Sequence, residues 1–357
     1  MQDIDSLLKD LSEAAGVSGH EGEVRAVMSR YLPPEAQIKH DNLGSVVARL
    51  KGRLDEPRVM LAAHMDEIGF MVTRITEKGF LRFQPIGGWW DQVLLAQRVE
   101  VLGASGAIPG VVGSKPPHIL DDKSKKQVME KKDMFIDIGA RDADHAAKMG
   151  VRHGDPVVPW SPFQPMSNPD LLMGKAWDDR VGCAAVVQVL RELAGSSHPN
   201  AVYGVGTVQE EVGMRGAKTS AELVKPDVCL VVESSIAGDV PGSDADASSE
   251  ELGGGPSIVL YDASMIPSRG LRDLVLDTAE KMDIKIQFTH SARGGTDGGR
   301  IHLSAQGVPS LVLGVPTRYI HSHTGIIHRG DFKRLVDLLK AVILKLDSGK
   351  VSELCTV

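Results

Sequence analysis

After Trp160 the chain alternates apolar runs of two periodicities, and no other feature limits its fold so strongly. DRVGCAAVVQVLRELAG carries apolar residues at helical spacing, AVYGVGTVQ reads as a strand, and VGMRGAKTSAELV reads as a helix. DVCLVVES and GPSIVLY are strand-like; SRGLRDLVLDTAEKM, IKIQFTH, PSLVLGV and DFKRLVDLLKAVILKL continue as helix, strand, strand and helix. Strands alternating with helices imply an α/β fold, a mostly parallel sheet with helices on both faces. The N-terminal segment fits the same scheme. DIDSLLKDLSEAAG and GHEGEVRAVMSRYL read as helices, and GSVVARLKG and PRVMLAAH as strands. The second of these strands is nearly all apolar, as in a sheet covered on both sides.

Between Gly69 and Trp160 the texture changes. Short β-type runs (GFMVTRIT, RVEVLG, AIPGVVG, MFIDIGA, DPVVPW) are separated by glycine and proline, the signature of a small all-β unit. The expected organisation is therefore one α/β domain built from residues 1–66 and 166–357, with residues 67–165 inserted as a small β domain. Within the insertion, DDKSKKQVMEKKD at 121–133 is expected to be a solvated or mobile loop. A chain of 357 residues exceeds one compact core, which agrees with a large domain plus a smaller one.

Charge and cysteine content narrow the function. A formal net charge of −7 argues against nucleic acid or an anionic membrane as the main partner. No run of about 18 apolar residues and no secretory-type N-terminal segment is present, so a cytoplasmic protein is expected. Cys183, Cys229 and Cys355 lack metal-type spacing, and the first two sit in apolar runs as reduced core residues.

In such a sheet, functional groups gather at the carboxyl ends of strands. The acids and histidines at those ends form a short set. His64 and Asp66 follow PRVMLAA in AAHMDEIGF, Asp178 and Asp179 lie in KAWDDR, Glu210 and Glu211 follow AVYGVGTVQ, Glu233 ends DVCLVVES, and His321 lies in RYIHSH. Imidazole and carboxylate together suit zinc, cobalt or manganese. Residues i and i+2 of an extended strand share a face, so Asp66 is expected to hold the second ring nitrogen of His64. Adjacent carboxylates at an apolar strand end repel unless a cation or a proton separates their roles. One ligand and one proton-transfer base would resolve Glu210–Glu211; a solvated strand end is the plain alternative. Asp179 reads as a helix N-terminal acid, and Gly294–Gly299 with Asp297 as a tight turn near substrate. His290 is expected either to touch the site or to be structural. His323 and His328 are expected to be exposed neighbours of His321 rather than ligands. Trp89 and Trp90 are expected to pack or to form subunit contacts.

HMDEIGF, GKAWDDRVG, QEEVG, GGTDGG and RYIHS, in this order, resemble the M42 family of metal-dependent aminopeptidases, which includes glutamyl aminopeptidases and the tetrahedral TET particles. The resemblance spans nearly the whole chain. It implies a two-metal centre in the α/β domain and a PDZ-like β insertion used for dimerisation and higher assembly. It further implies that His64 and Glu233 hold one ion, that Glu211 and His321 hold the other, and that Asp178 bridges them. Glu210 would then be the general base, and Asp66 would orient His64. Many members carry Asp at the position of Glu233, and Ser234 and Ser235 also depart from the usual small-residue pattern. The implied activity is release of N-terminal residues from peptides by two divalent ions, zinc or cobalt first and manganese next. The implied assembly is a homo-oligomer, a dodecamer built from dimers. A metal-dependent deacylase of N-acyl substrates and a non-catalytic assembly protein of the same fold are the rival readings. A glycosidase needs two carboxylates without metal, which two histidines in the set do not suit.

Overall fold

The computed structural model describes residues 2–243 and 249–355. Four parallel strands form the centre of an 11-stranded sheet, in the order Ala201–Thr207, Arg58–His64, Val228–Ile236 and Ser310–Arg318. Antiparallel strands extend both margins. Val46–Leu50 and Gln37–His40 lie on one side; Gly325–His328, Leu171–Gly174 and Gln164–Pro165 lie on the other. Ser257–Tyr261 pairs with both Ser310–Arg318 and Gln287–His290 off this path.

The near-continuous apolar runs of the central strands follow from burial on both faces. Val59, Leu61 and Ala63 point into one core, and Met60 and Ala62 into the other. Val228, Leu230 and Val232 alternate with Cys229 and Val231 in the same way. The larger core lies under the helices Gln2–Glu13, Gly22–Tyr31, Trp177–Leu193, Arg269–Lys281 and Arg329–Ile343. Arg215–Val224 and the short helix Gly298–Ile301 cover the opposite face. Trp177–Leu193 runs directly over the central strands, so its first turn is fixed against their carboxyl ends. No helix among the described residues is long and apolar enough to cross a membrane.

Six further strands close into a barrel: Gly69–Ile75, Leu81–Ile86, Phe135–Asp137, Gly106–Gly113, Arg98–Gly103 and Pro156–Pro159, in that order round it. Its own core contains Phe70, Leu81, Trp89, Val101, Ile136 and Val157. Segment 121–133 is largely exposed, but its end is anchored rather than free. Lys131 donates its Nζ to the Trp89 carbonyl at 2.9 Å and its backbone N–H to Asp91 at 3.0 Å. Trp89 is buried against Phe70, whereas Trp90 is 62% exposed.

Candidate active site

Because the central strands are parallel, their carboxyl ends lie on one edge of the sheet, and the candidate residues meet there. His64 is the last residue of its strand, and Glu233 lies in the second half of Val228–Ile236. Glu210 and Glu211 lie in the turn after Ala201–Thr207, and His321 follows Ser310–Arg318. Asp178 stands at the start of Trp177–Leu193, where Asp178 and Asp179 have non-helical backbone angles. Two groups result. Ligand atoms of His64, Asp178 and Glu233 lie within 4.8 Å of one another, as do those of Asp178, Glu211 and His321.

Asp178 is common to both. Its Oδ1 is 2.9 Å from His64 Nε2 and its Oδ2 is 3.0 Å from His321 Nε2. Glu233 Oε2 is 3.7 Å from His64 Nε2, and Glu211 Oε1 is 3.4 Å from His321 Nε2. The second nitrogen of each ring is bound to a main-chain carbonyl, Asp66 O at 3.0 Å for His64 and Gly88 O at 2.7 Å for His321. These bonds fix the rings so that Nε2 faces the cluster. Gly88 follows a barrel strand, so the barrel helps to orient His321.

The Asp66 carboxylate is 3.6 Å from His64 Nδ1, farther than its own carbonyl. The strand stops at His64, so strand alternation does not aim Asp66 at the ring. The carboxylate also accepts N–H bonds from Glu210 at 2.9 Å and Glu211 at 3.1 Å, and Ser18 Oγ–H at 2.6 Å. Left-handed backbone is concentrated around the site, at Ala176, Gln209, Met214, Tyr319 and His321. Non-glycine residues adopt it at a cost of about 1–3 kcal/mol each when the surrounding structure demands it.

Burial and like charge dominate the electrostatics. Burial, with the charge of Asp178, raises the Glu211 carboxyl to about 7. Glu210 and Glu233 are pushed well above the ordinary range, by burial first and by neighbouring carboxylates next. Burial also acts to raise Asp178, but hydrogen bonds from His321 and His64 outweigh it and hold that carboxyl far down. For His321, burial favours the neutral ring; Asp178 and Glu211 reverse this and raise it to about 10. Glu211 Oε1 is buried without a hydrogen-bond donor. An orphaned carboxylate oxygen among crowded acids, with two oriented imidazoles, is a donor set that fits divalent cations.

The cluster opens into a cavity of about 870 Å³ whose wall includes Glu210, Glu233, Met214, His290, Arg293 and His321. Asp179 is fully buried and accepts from Gly182 N at 3.1 Å and His64 N at 3.2 Å, inside the first turn of its helix. Asp297 is buried below the site and accepts from the Thr207 hydroxyl rather than lining the cavity. His323 belongs to neither group. It is 4% exposed rather than solvated, lies against Trp89 with ring centroids 5.2 Å apart, and is held near 4 by burial. His328 accepts from Gly330 N at the start of the last long helix. Nothing in the spacing of Lys175 or Arg180 marked them, yet both are buried and both bind Glu67 of HMDEIGF. A charged residue inside an otherwise apolar stretch is the available signal for such a pair.

An α/β protein with a carboxylate–imidazole centre at the carboxyl edge of a parallel sheet is equipped for hydrolytic chemistry. Comparison with known proteins specifies which kind. The sequence profile of the M42 glutamyl aminopeptidases matches residues 44–338. The glutamyl aminopeptidase of Lactococcus lactis subsp. cremoris (strain MG1363) is 37% identical over 97% of this chain and 98% of its own. The structure of the TET aminopeptidase from the marine sediment archaeon Thaumarchaeota archaeon SCGC AB-539-E09 superposes with a TM-score of 0.96. It is 45% identical and covers 99% of this chain and 100% of its own. The TET1 peptidase of Pyrococcus horikoshii, described as assembling into a tetrahedron or a large octahedral shell, superposes with a TM-score of 0.87. It is 33% identical over 96% of this chain and 100% of its own. The chain belongs to the M42 aminopeptidase family and is a peptide hydrolase.

Proposed function

We propose that the protein is a dinuclear metal-dependent aminopeptidase that releases N-terminal residues from peptides. The observation that carries this reading is Asp178, whose two carboxylate oxygens each face an imidazole, so that one residue serves both candidate groups. His64 and Glu233 would hold one ion, Glu211 and His321 the other, and Asp178 would bridge them. Zinc or cobalt suits this mixed donor set best, and manganese is compatible with it. Bound there, the ions would polarise the scissile carbonyl and acidify a water to near-neutral pKa.

The remaining chemistry falls to the protein. Glu210 lies beside both groups and belongs to neither, on the cavity wall. Burial raises its carboxyl, so its ionised form is a stronger acceptor for a proton of the attacking water, and the acid so formed can return that proton to the leaving amine. Asp66 secures the amides of Glu210 and Glu211 and its own carbonyl orients His64. The barrel of the inserted segment, 67–165, is proposed to serve assembly of dimers into a dodecamer in the cytoplasm. A closed shell would admit peptides and exclude folded proteins. The proposed assembly rests on the TET-like fold, and light scattering that returned a monomer at micromolar concentration would sink it.

The decisive assay for the activity is a panel of aminoacyl chromogenic substrates and their N-acetyl counterparts, with zinc, cobalt and manganese added separately. Cleavage of the free amines is expected. Cleavage of the acetylated compounds alone would make the protein a deacylase.

A further inference from the structure

Glu21 occupies the residue before the helix Gly22–Tyr31, yet its side chain makes no bond to that helix. Only 5% exposed, it turns the other way. Its Oε1 accepts the N–H of Gly19 at 2.7 Å and the N–H of Gln209, 188 residues away in sequence, at 3.1 Å. Asp66 accepts the next two amides, Glu210 N and Glu211 N. Two buried carboxylates thus divide three consecutive backbone donors between them. Consecutive amides that converge in this way form a pocket suited to anions, and here the protein's own side chains fill it.

The turn being held is a demanding one. Gln209 has a φ of 57°, in the left-handed region that a side chain with Cβ resists. Arg215 binds the Gln209 carbonyl at 3.2 Å and its side-chain oxygen at 3.0 Å from within the same segment, and Glu21 supplies the bond to the Gln209 N–H from outside it. The following residue presents its carboxyl to the cavity, so a change at Gln209 would swing Glu210 directly. Ser18, on the same loop as Glu21, braces the other carboxylate through Asp66 Oδ2.

We infer that Glu21 is a positioning residue for the proposed base, locking Gln209 in the left-handed turn that aims Glu210 at the substrate cavity. This rests on the reading of Glu210 as the base. It acts as a hydrogen-bond acceptor rather than as a charge, since both of its bonds are to neutral backbone amides.

The test compares Glu21→Ala, Glu21→Gln and Glu21→Asp in the full chain. Steady-state kinetics use a chromogenic substrate the unmodified protein cleaves, and hydrogen–deuterium exchange of segment 207–212 is measured without substrate. The glutamine carbonyl can accept both N–H bonds, whereas the aspartate arm is one methylene too short to reach them. Glu21→Ala and Glu21→Asp are expected to lose about 10- to 100-fold in kcat, the scale of a small misplacement of a catalytic group. Their KM should change by less than about threefold, and amides 209–211 should exchange faster. Glu21→Gln is expected to keep both kcat and protection close to the starting values. Wild-type kcat and protection in Glu21→Ala would overturn the inference, as would damage in Glu21→Gln equal to that in Glu21→Ala. If Glu21→Ala does not fold, the contrast between the Gln and Asp variants decides. A protein that cleaves no aminoacyl substrate fails the aminopeptidase reading instead, while the exchange data still judge the role of Glu21.

Discussion

Two groups of buried charges grow from the same two stretches, HMDE and KAWDDR, and they are balanced in opposite ways. Glu67, Lys175 and Arg180 form the first. Glu67 Oε1 lies 2.5 Å from Lys175 Nζ and 3.3 Å from Arg180, and it also accepts Gly16 N–H at 3.2 Å. Arg180 spends its other donors on the carbonyls of Leu11, Ala14, Gly16 and Met65, and Lys175 adds a bond to Ala14. One anion meets two cations, and the guanidinium ties the end of the first helix to the turn after His64. Asp178, Glu210, Glu211 and Glu233 form the second group with only two imidazoles, and a carboxylate oxygen of Glu211 has no donor. Where a buried anion has cations to pair with, and those cations spend their other donors on backbone carbonyls, the work is structural. Where acids outnumber their partners, a proton or an added cation has to offset the excess, and such a cluster in a cavity is a candidate place of chemistry.

The largest effects should come from the unbalanced group. Glu210→Gln removes a proton acceptor and no proposed ligand. Its kcat should fall by about 10²- to 10⁴-fold, the usual contribution of a positioned base, while metal content stays near that of the unmodified protein. Glu211→Gln should lower both rate and metal content. Elemental analysis of the two purified variants settles the assignment, and loss of metal from the Glu210→Gln protein alone would exchange the two roles.

The balanced group should respond in stability instead. Glu67→Gln leaves Lys175 and Arg180 buried without their anion, and breaking a buried pair from one side costs about 3–5 kcal/mol. Urea unfolding should show a loss of that order. A change below about 1 kcal/mol would mean that the carbonyls alone satisfy the two cations, and the contrast between the groups would collapse.

Chelation sharpens the same contrast from the other side. Removing divalent ions should abolish activity and lower the thermal midpoint, because the acids of the site are left facing one another. Saturation at about 100 times the dissociation constant would contribute about 2.7 kcal/mol for each ion. Restoring zinc or cobalt should reverse both losses. Full activity after exhaustive chelation, with no metal detectable, would remove the proposed mechanism.

Much of this arrangement was legible in the sequence, for reasons that also explain what was not. The central strands announce themselves because both faces are buried, so Arg58–His64 and Val228–Ile236 carry unbroken apolar runs at 59–63 and 228–232. The strands Gln37–His40, wholly exposed, and Leu81–Ile86, which contains Pro85 and Arg82, lack that signature. They are held by pairing with Val46–Leu50 and Gly69–Ile75, a property of the partner that local composition does not carry. At the site, ligand-type residues stand out by chemistry and by their place at strand ends. Glu21 does not, because its function lies in one bond to a residue far along the chain. Asp66 lies 3.6 Å from His64 Nδ1, as a partner of the ring would, but its bonds to the amides of Glu210 and Glu211 arise because the strand ends at His64, which strand alternation does not announce.

Asp41 supplies the smallest test, a partly buried carboxylate balanced by neutral donors alone. Its Oδ1 accepts N–H bonds from Leu43 at 3.0 Å, Gly44 at 2.8 Å and Ser45 at 2.9 Å, and its Oδ2 accepts the Thr219 hydroxyl at 2.5 Å. Burial acts to raise its pKa, but Thr219 and the amides of Ser45 and Gly44 outweigh burial and hold it below the ordinary value. A carboxyl depressed in the folded state stabilises the fold above its unfolded pKa of about 3.9 and loses that contribution as pH falls through the lower folded value. Asp41→Asn should therefore be less stable than the parent by about 1 kcal/mol at neutral pH, the usual worth of such bonds. The gap should hold down to about pH 5 and narrow below pH 4. Urea unfolding of both proteins at several pH values measures it. A gap that widens on acidification would show that the Asp41 carboxylate is strained rather than stabilised by its donors, and that neutral amides do not balance a buried charge as the cations around Glu67 do.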